Sequence, residues 1–129
     1  NKALVRIKDS HENMLELILE RVAQFDKDSI KIPTSNGFAF VKKEEIIYCQ
    51  SESNYTHIFT ISKNFLVSKT LKYIQELLPE KDFLRIHHSY LVNLAHIKEY
   101  SRKDGGFVVL SDNKTLRVSN SRKDIFNEI

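Results

Sequence analysis

Cysteine occurs once, proline twice and glycine three times in the 129 residues, and tryptophan not at all. A single Cys49 forbids an intrachain disulfide, so covalent stapling does not hold this fold together. Its setting, EEIIYCQ, predicts a thiol buried in a strand rather than a nucleophile. A chain without disulfides or a metal motif fits a reducing compartment, which makes the cytoplasm the expected location. Three glycines leave no room for a phosphate-cradling loop, and no nucleophile elbow is present. Catalysis is therefore not expected, nor is any cofactor. No apolar run reaches the roughly 20 residues of a membrane helix, so no membrane partner is expected. The chain opens on NKALVRIKD, with neither an initiator methionine nor a signal segment. That opening reads as the interior of a longer protein.

The composition itself is ordinary: 41% hydrophobic and 29% charged residues, enough for one domain with a real core. The net charge of +3 is unevenly spread. Residues 1–29 hold five Lys/Arg against six Asp/Glu, and residues 30–129 hold fifteen against eleven. Between Lys98 and Lys123, seven basic residues face three acidic ones. Such a concentration permits polyanion binding, and it also fits a plain solvated face.

Periodicity divides the chain near residue 29. Before it, Ile7, Met14, Leu15, Ile18, Leu19, Val22 and Phe25 form a stripe at helical spacing within residues 3–25. Asp9 or Ser10 is the expected N-cap and FDKDS the exit. A stripe this apolar needs a partner, either a second copy or the domain that follows. Beyond residue 29 the pattern becomes strand-like. IKIP and FAFVK flank an Asn-Gly hairpin signal, then come EEIIYCQS, YTHIFTI and NFLVS. In YTHIFTI, Tyr55, His57, Phe59 and Ile61 share one face. TLKYIQELLP returns to helical spacing, with Leu71, Ile74, Leu77 and Leu78 on one side and Pro79 as the stop. Further strands follow at FLRIH, YLVN, IKEYS, FVVLS and TLRVS, and Ser121 with Asp124 predicts a capping box for a last short helix.

The adjacent His87 and His88 invite a metal-site reading. Neighbours on a strand point to opposite faces, however, so the pair cannot chelate one ion. Cys49, His57 and His96 lack the paired spacings of zinc sites, and no metal is expected. One imidazole is expected inward on a buried hydrogen bond. The other, beside Ser89, projects outward, where it is either an unremarkable surface group or a contact to a base edge or phosphate.

The run FLRIHHSYLVNLAHIKEY resembles the signature of LytTR domains, the DNA-binding output modules of many bacterial response regulators. Their pattern, roughly F-x-R-x-H-x-S-x-x-V-N-x-x-x-I, is met by Phe83, Arg85, His87, Ser89, Val92, Asn93 and Ile97. Upstream, residues 46–52 match an I-x-Y-x-x-S-E segment, followed by Tyr55 and by a T-L-x-x-x-x-x-L-L helix at residues 70–78. Val118-Ser119 matches the late V-S. The resemblance covers about residues 30–129 and leaves residues 1–29 as a linker helix from a missing upstream domain, expected to be a receiver.

It implies a mainly β, elongated fold of about ten short antiparallel strands in successive small sheets, with one or two short helices. It also implies sequence-specific binding to double-stranded DNA, with loops entering successive major grooves, at tandem half-sites if residues 3–25 pair two copies. Carried onto this chain, the base-contacting residues are Asn54, Tyr55, Thr56, His88, Asn120, Ser121 and Arg122. Lys69, Lys72, Ser89, Lys103, Arg117 and Lys123 would contact phosphates, while His87 would be scaffold. Many members carry Arg after the late V-S and Arg or Asn at the place of His88. Here Asn120 and His88 stand there, with Arg122 two positions on. The rival expectation is a β-rich dimerisation or protein-interaction module that does not bind DNA.

Overall fold

The computed structural model describes residues 14–18 and 29–127. Strands β1 (Ser29–Thr34) and β2 (Gly37–Lys42) form a hairpin with Thr34 opposite Gly37, so Ser35 and Asn36 make the turn. A 3-10 turn at Lys43–Glu45 leads into β3 (Ile46–Glu52), β4 (Tyr55–Thr60) and β5 (Asn64–Val67). Helix α1 (Leu71–Leu77) follows, then β6 (Phe83–His87) and β7 (Tyr90–Asn93). After a 3-10 turn at Leu94–His96 come β8 (Ile97–Ser101), β9 (Phe107–Leu110) and β10 (Thr115–Arg117). A 3-10 turn at Asn120–Arg122 runs into α2 (Lys123–Asn127). The ten strands make three antiparallel sheets: β1-β2, β5-β4-β3-β7-β6 and β10-β9-β8.

The five-stranded sheet is covered on both faces, so β3 and β7 send apolar side chains to both. On one side Ile46, Cys49, Ile58, Val67 and Leu91 pack with Ile32 and Val41 of the β1-β2 hairpin and with Leu71, Ile74 and Leu78 of the α1 region. On the other, Ile47, Tyr48, Ile86 and Val92 pack with Val108, Leu110, Leu116 and Val118 of the three-stranded sheet. A bulge between Ile46 and Tyr48 lets β3 place two successive residues, Ile47 and Tyr48, in the second core. Tyr48 stacks on Phe59 at 4.5 Å, and burial raises its phenol to about 12. Cys49 is fully buried, and burial likewise pushes its thiol up to about 12, so it packs as a small apolar group.

In β4 the deeply buried residues are Thr56, Ile58 and Thr60; Tyr55 is exposed, and His57 and Phe59 are half-buried. The threonine hydroxyls reach the first core because each donates to a backbone carbonyl, Thr56 to Lys69 and Thr60 to Lys63.

Two polar side chains tie the sheets together. Asn93, 3% exposed, donates through Nδ2 to the carbonyls of Ile46 (2.9 Å) and Lys43 (3.2 Å). Its Oδ1 accepts from the Ala95 N–H, capping the 3-10 turn. His96 bridges the Glu44 carbonyl and the Ser111 hydroxyl, both at 2.7 Å. The carbonyl can only accept, so Nε2 carries the proton and Nδ1 accepts from Ser111. Among the described residues no buried side-chain nitrogen or oxygen lacks a partner.

Helix α1 is capped at its start by the Thr70 hydroxyl, which accepts from the Tyr73 N–H at 3.2 Å. The Ser121–Asp124 capping box is not formed. Ser121 lies inside the 3-10 turn, and Ser119 stands in the cap position without a side-chain cap bond. Of the stripe in residues 3–25, only positions 14–18 are described. They are helical, with Leu15 and Ile18 exposed, and Glu16 forms a 3.2 Å ion pair with Lys31 of β1. The rest of that helix lies outside the described residues. No described helix is long and apolar enough to cross a membrane.

Candidate nucleic-acid interface

Strand register brings the three sequence-identified loops to one end of the five-stranded sheet. Glu52 pairs with Tyr55, so the β3-β4 turn is Ser53-Asn54, with Ser53 at φ 56. Gln50 pairs with Tyr90, which sets the β6-β7 turn, His88-Ser89, beside the first. The Ser51 N–H donates to the Ser89 carbonyl at 2.9 Å and locks the two turns together. The third loop, 120–122, is attached by the Ser119 N–H bonding to the Ile86 carbonyl at 2.8 Å. Thr56 pairs with Val67, so the segment carrying Lys69 reaches the same end.

The second turn shows how the two histidines divide. His87 and His88 are not on opposite faces, because the strand ends at His87 and its register shifts between Arg85 and His87. Their rings lie 4.4 Å apart, and His87 lies 5.2 Å from Tyr90. His88 is exposed, whereas His87 is half-buried and its Nδ1 accepts from the Ser89 N–H at 3.1 Å. That acceptor role requires the neutral ring with its proton on Nε2. Burial, then the charges of His88, Arg117 and Arg85, lower the His87 pKa from its ordinary 6.5.

A pH effect with a definite sign follows. Below about 6.5 the unfolded chain takes up a proton that the folded chain refuses, so stability falls as pH drops through that value toward the lower folded one. Urea unfolding from pH 8 to pH 5 should show this decline, and a His87→Gln variant, which keeps an acceptor without titrating, should show less of it. An equal decline in both proteins would exclude His87 as its source.

A cleft of about 430 Å³ joins the second and third loops, lined by Gln75, Arg85, His87, His88, Ser119, Ser121 and Arg122. Beside it stands the Lys103–Gly105 turn, where Asp104 (φ 52), Gly105 (φ 88) and Gly106 (φ 99) adopt positive φ in succession. Glycine is required at Gly106, where a Cβ would fall 3.1 Å from Lys123 Cε and 3.3 Å from the Tyr100 hydroxyl. Arg117 donates to the Asp104 carbonyl at 2.7 Å, and Lys123 to Asn120 Oδ1 at 2.7 Å. Lys103, Arg117, Arg122 and Lys123 thus flank one end of the three-stranded sheet next to His88.

Thr56 is corrected by the structure. It is fully buried with its hydroxyl on the Lys69 carbonyl at 2.8 Å, so it anchors the first loop and cannot meet a base edge. Asn54 and Tyr55 are exposed, as are Asn120, Ser121 and Arg122. Lys69 is exposed too, its ammonium 5.1 Å from the Tyr73 ring. Lys72 is set apart from this group, lining a separate cleft with Gln75, Glu76 and Glu80.

Sequence reasoning missed Arg85 as a member of the site. Its guanidinium donates to the carbonyls of His87 (3.1 Å) and His88 and to Gln75 Oε1 (2.9 Å). The arginine of the R-x-H pattern was the available signal. Also missed was the hydrogen bond between His57 Nε2 and Glu52 Oε2 across the β3-β4 hairpin, which sets a carboxylate next to that loop.

Comparison with known proteins bears on the whole arrangement. The family model of the LytTr DNA-binding domain matches residues 36–129. The sensory transduction protein LytT of Bacillus subtilis (strain 168) is 28% identical over 98 residues, covering 76% of this chain and 40% of that protein. The transcriptional regulatory protein NatR of the same organism is 38% identical over 72 residues, covering 56% of this chain and 31% of its own. This chain therefore spans less than half the length of these relatives. A solved LytTr DNA-binding domain from Bacillus cereus shares the fold at a TM-score of 0.67 and 21% identity, covering 78% of this chain and 94% of that one. With the family match extending from the first hairpin turn to the last residue, the chain belongs to the LytTr DNA-binding domain family.

Proposed function

We propose that residues 30–129 are the sequence-reading domain of a bacterial response regulator and that residues 1–29 connect it to an upstream receiver domain. The domain acts in the cytoplasm by binding alone, without catalysis or a cofactor. The observation that carries this reading is the gathering of three loops and their flanking cations at one end of the sheets. Asn54, Tyr55, His88, Asn120, Ser121 and Arg122 reach base edges in successive major grooves. Ser89, Lys69, Lys103, Arg117 and Lys123 meet phosphates, while Lys72, in its separate cleft, stands outside the gathered group. The chemistry suits these roles, since Asn and Arg can engage adenine and guanine edges in bidentate fashion, whereas ammonium groups neutralise the backbone without reading it.

Exposed Leu15 and Ile18 support pairing of two chains through residues 3–25, which would set two reading ends on tandem half-sites. Selection of bound sequences from random duplex DNA tests both ideas. Recovery of one motif in two regularly spaced copies is expected. A single motif removes the tandem arrangement, and no enrichment at all removes sequence reading in favour of an interaction module.

The cations carry their own expectation. Lys69→Ala and Lys123→Ala should each weaken binding to every duplex alike and lower the salt slope by about one unit. A change in site preference with the slope intact would move the altered residue from the phosphate group to the base-reading group.

A further inference from the structure

We propose that Arg85, held by Gln75, is a positioning residue that presets the His88-Ser89 turn for DNA; the proposal rests on the reading role argued above. β6 is the edge of its sheet, and its register shifts between Arg85 and His87, where the strand gives way to the turn. Arg85 supplies donors to the carbonyls at that end. Nε bonds the His87 carbonyl at 3.1 Å and Nη2 bonds the His88 carbonyl. Nη1 bonds Gln75 Oε1 at 2.9 Å.

Only a planar fork can meet three acceptors in fixed directions; an ammonium is a point charge without that geometry. Gln75 lies on the exposed side of α1, whose opposite side is fixed in the first core by Leu71 and Ile74. The position of His88 is thereby referred to a rigid helix and not left to a free hairpin tip. The β6 backbone serves the neighbouring loop too, through the Ser119 N–H on the Ile86 carbonyl at 2.8 Å. One short strand end holds two of the three loops in their relative places.

Arg85 spends its hydrogen bonds inward, on the turn. Its charge therefore adds little to phosphate neutralisation, and its contribution is the ordering of the turn before DNA arrives. This separates it from Lys69 and Arg122, and from Arg117 and Lys123, each of which makes one such bond against its three.

The test uses the full chain, a duplex recovered by selection and a scrambled duplex, titrated over a range of salt, with thermal unfolding measured alongside. Arg85→Lys keeps the charge and loses the fork. It is expected to lower affinity for the selected duplex about tenfold, with the scrambled-duplex affinity and both salt slopes unchanged. Gln75→Ala should act in the same direction with a smaller loss, and it guards against an Arg85 variant that fails to fold. In the free protein, the backbone amide resonances of His88 and Ser89 should shift or broaden in Arg85→Lys while that of Cys49 stays in place.

An Arg85→Ala variant that loses affinity equally for both duplexes, with the slope falling by about one unit, makes Arg85 a phosphate contact and overturns the proposal. So does an Arg85→Lys variant that discriminates as well as the wild type. A wild-type protein that fails to distinguish the two duplexes overturns the reading role together with the positioning role.

Discussion

Replacing Asn93 by Ala is expected to lower the unfolding free energy by about 3 kcal/mol, although the residue lies away from the proposed DNA-reading end. Its amide nitrogen satisfies two carbonyls, of Lys43 and Ile46, and its amide oxygen satisfies the Ala95 N–H. At 3% exposure no water replaces these bonds without opening the structure. Each orphaned group costs about 1–3 kcal/mol, less whatever the carbonyls recover from relaxation. Asn93→Asp should be worse, because a carboxylate keeps the acceptor but loses both donations and adds a buried charge facing two carbonyl oxygens. Urea denaturation of the three proteins measures this directly. A loss below about 1 kcal/mol for the alanine variant would mean that the bonds to Lys43 and Ile46 are not maintained in solution.

His88→Ala should behave in the opposite way. The side chain is exposed, and its only described side-chain contact is the ring of His87 at 4.4 Å. Removing it should change stability by no more than about 0.5 kcal/mol, the usual range for a surface substitution. Specific DNA binding should fall by about 2 kcal/mol, roughly thirtyfold in Kd, if the imidazole meets a base edge. Binding to unrelated duplexes should hold, since a contact to a base edge displaces no phosphate counterion. Fluorescence anisotropy with a selected and a scrambled duplex separates these effects. An equal loss on both would make His88 a phosphate contact, and no loss on either would leave it outside the interface.

Much of this architecture was legible because strands and turns leave local marks. The Thr34–Gly37 hairpin and the stop at Pro79 depend on neighbouring residues alone. What escaped depends on partners distant in sequence. In YTHIFTI the apolar alternation was visible, yet the fully buried side holds Thr56 and Thr60, whose hydroxyls find carbonyls that no pattern announces. The two histidines were separated on the rule that strand neighbours face apart. That rule lapsed because the strand ends between them. The expected loops do converge, but the residue that holds one of them, Arg85, was read only as a match to the R-x-H pattern. Only its acceptors, Gln75 on a helix and two turn carbonyls, reveal an inward task.

The order of pairing in the central sheet has a consequence for synthesis. β3, β4 and β5 are consecutive and can zip together as soon as they leave the ribosome, whereas the other edge of β3 must wait for β7. The Asn93 bond to Lys43 closes a separation of 50 residues. Such distant closures come late and slow the folding of β-rich chains. The proposed reading end also depends on distant closures, since Ser51 waits for Ser89 and Ile86 waits for Ser119. A nascent or prematurely ended chain that lacks Ser119 is therefore expected to leave the proposed DNA-facing end unmade, and so not to compete with the finished protein for an operator.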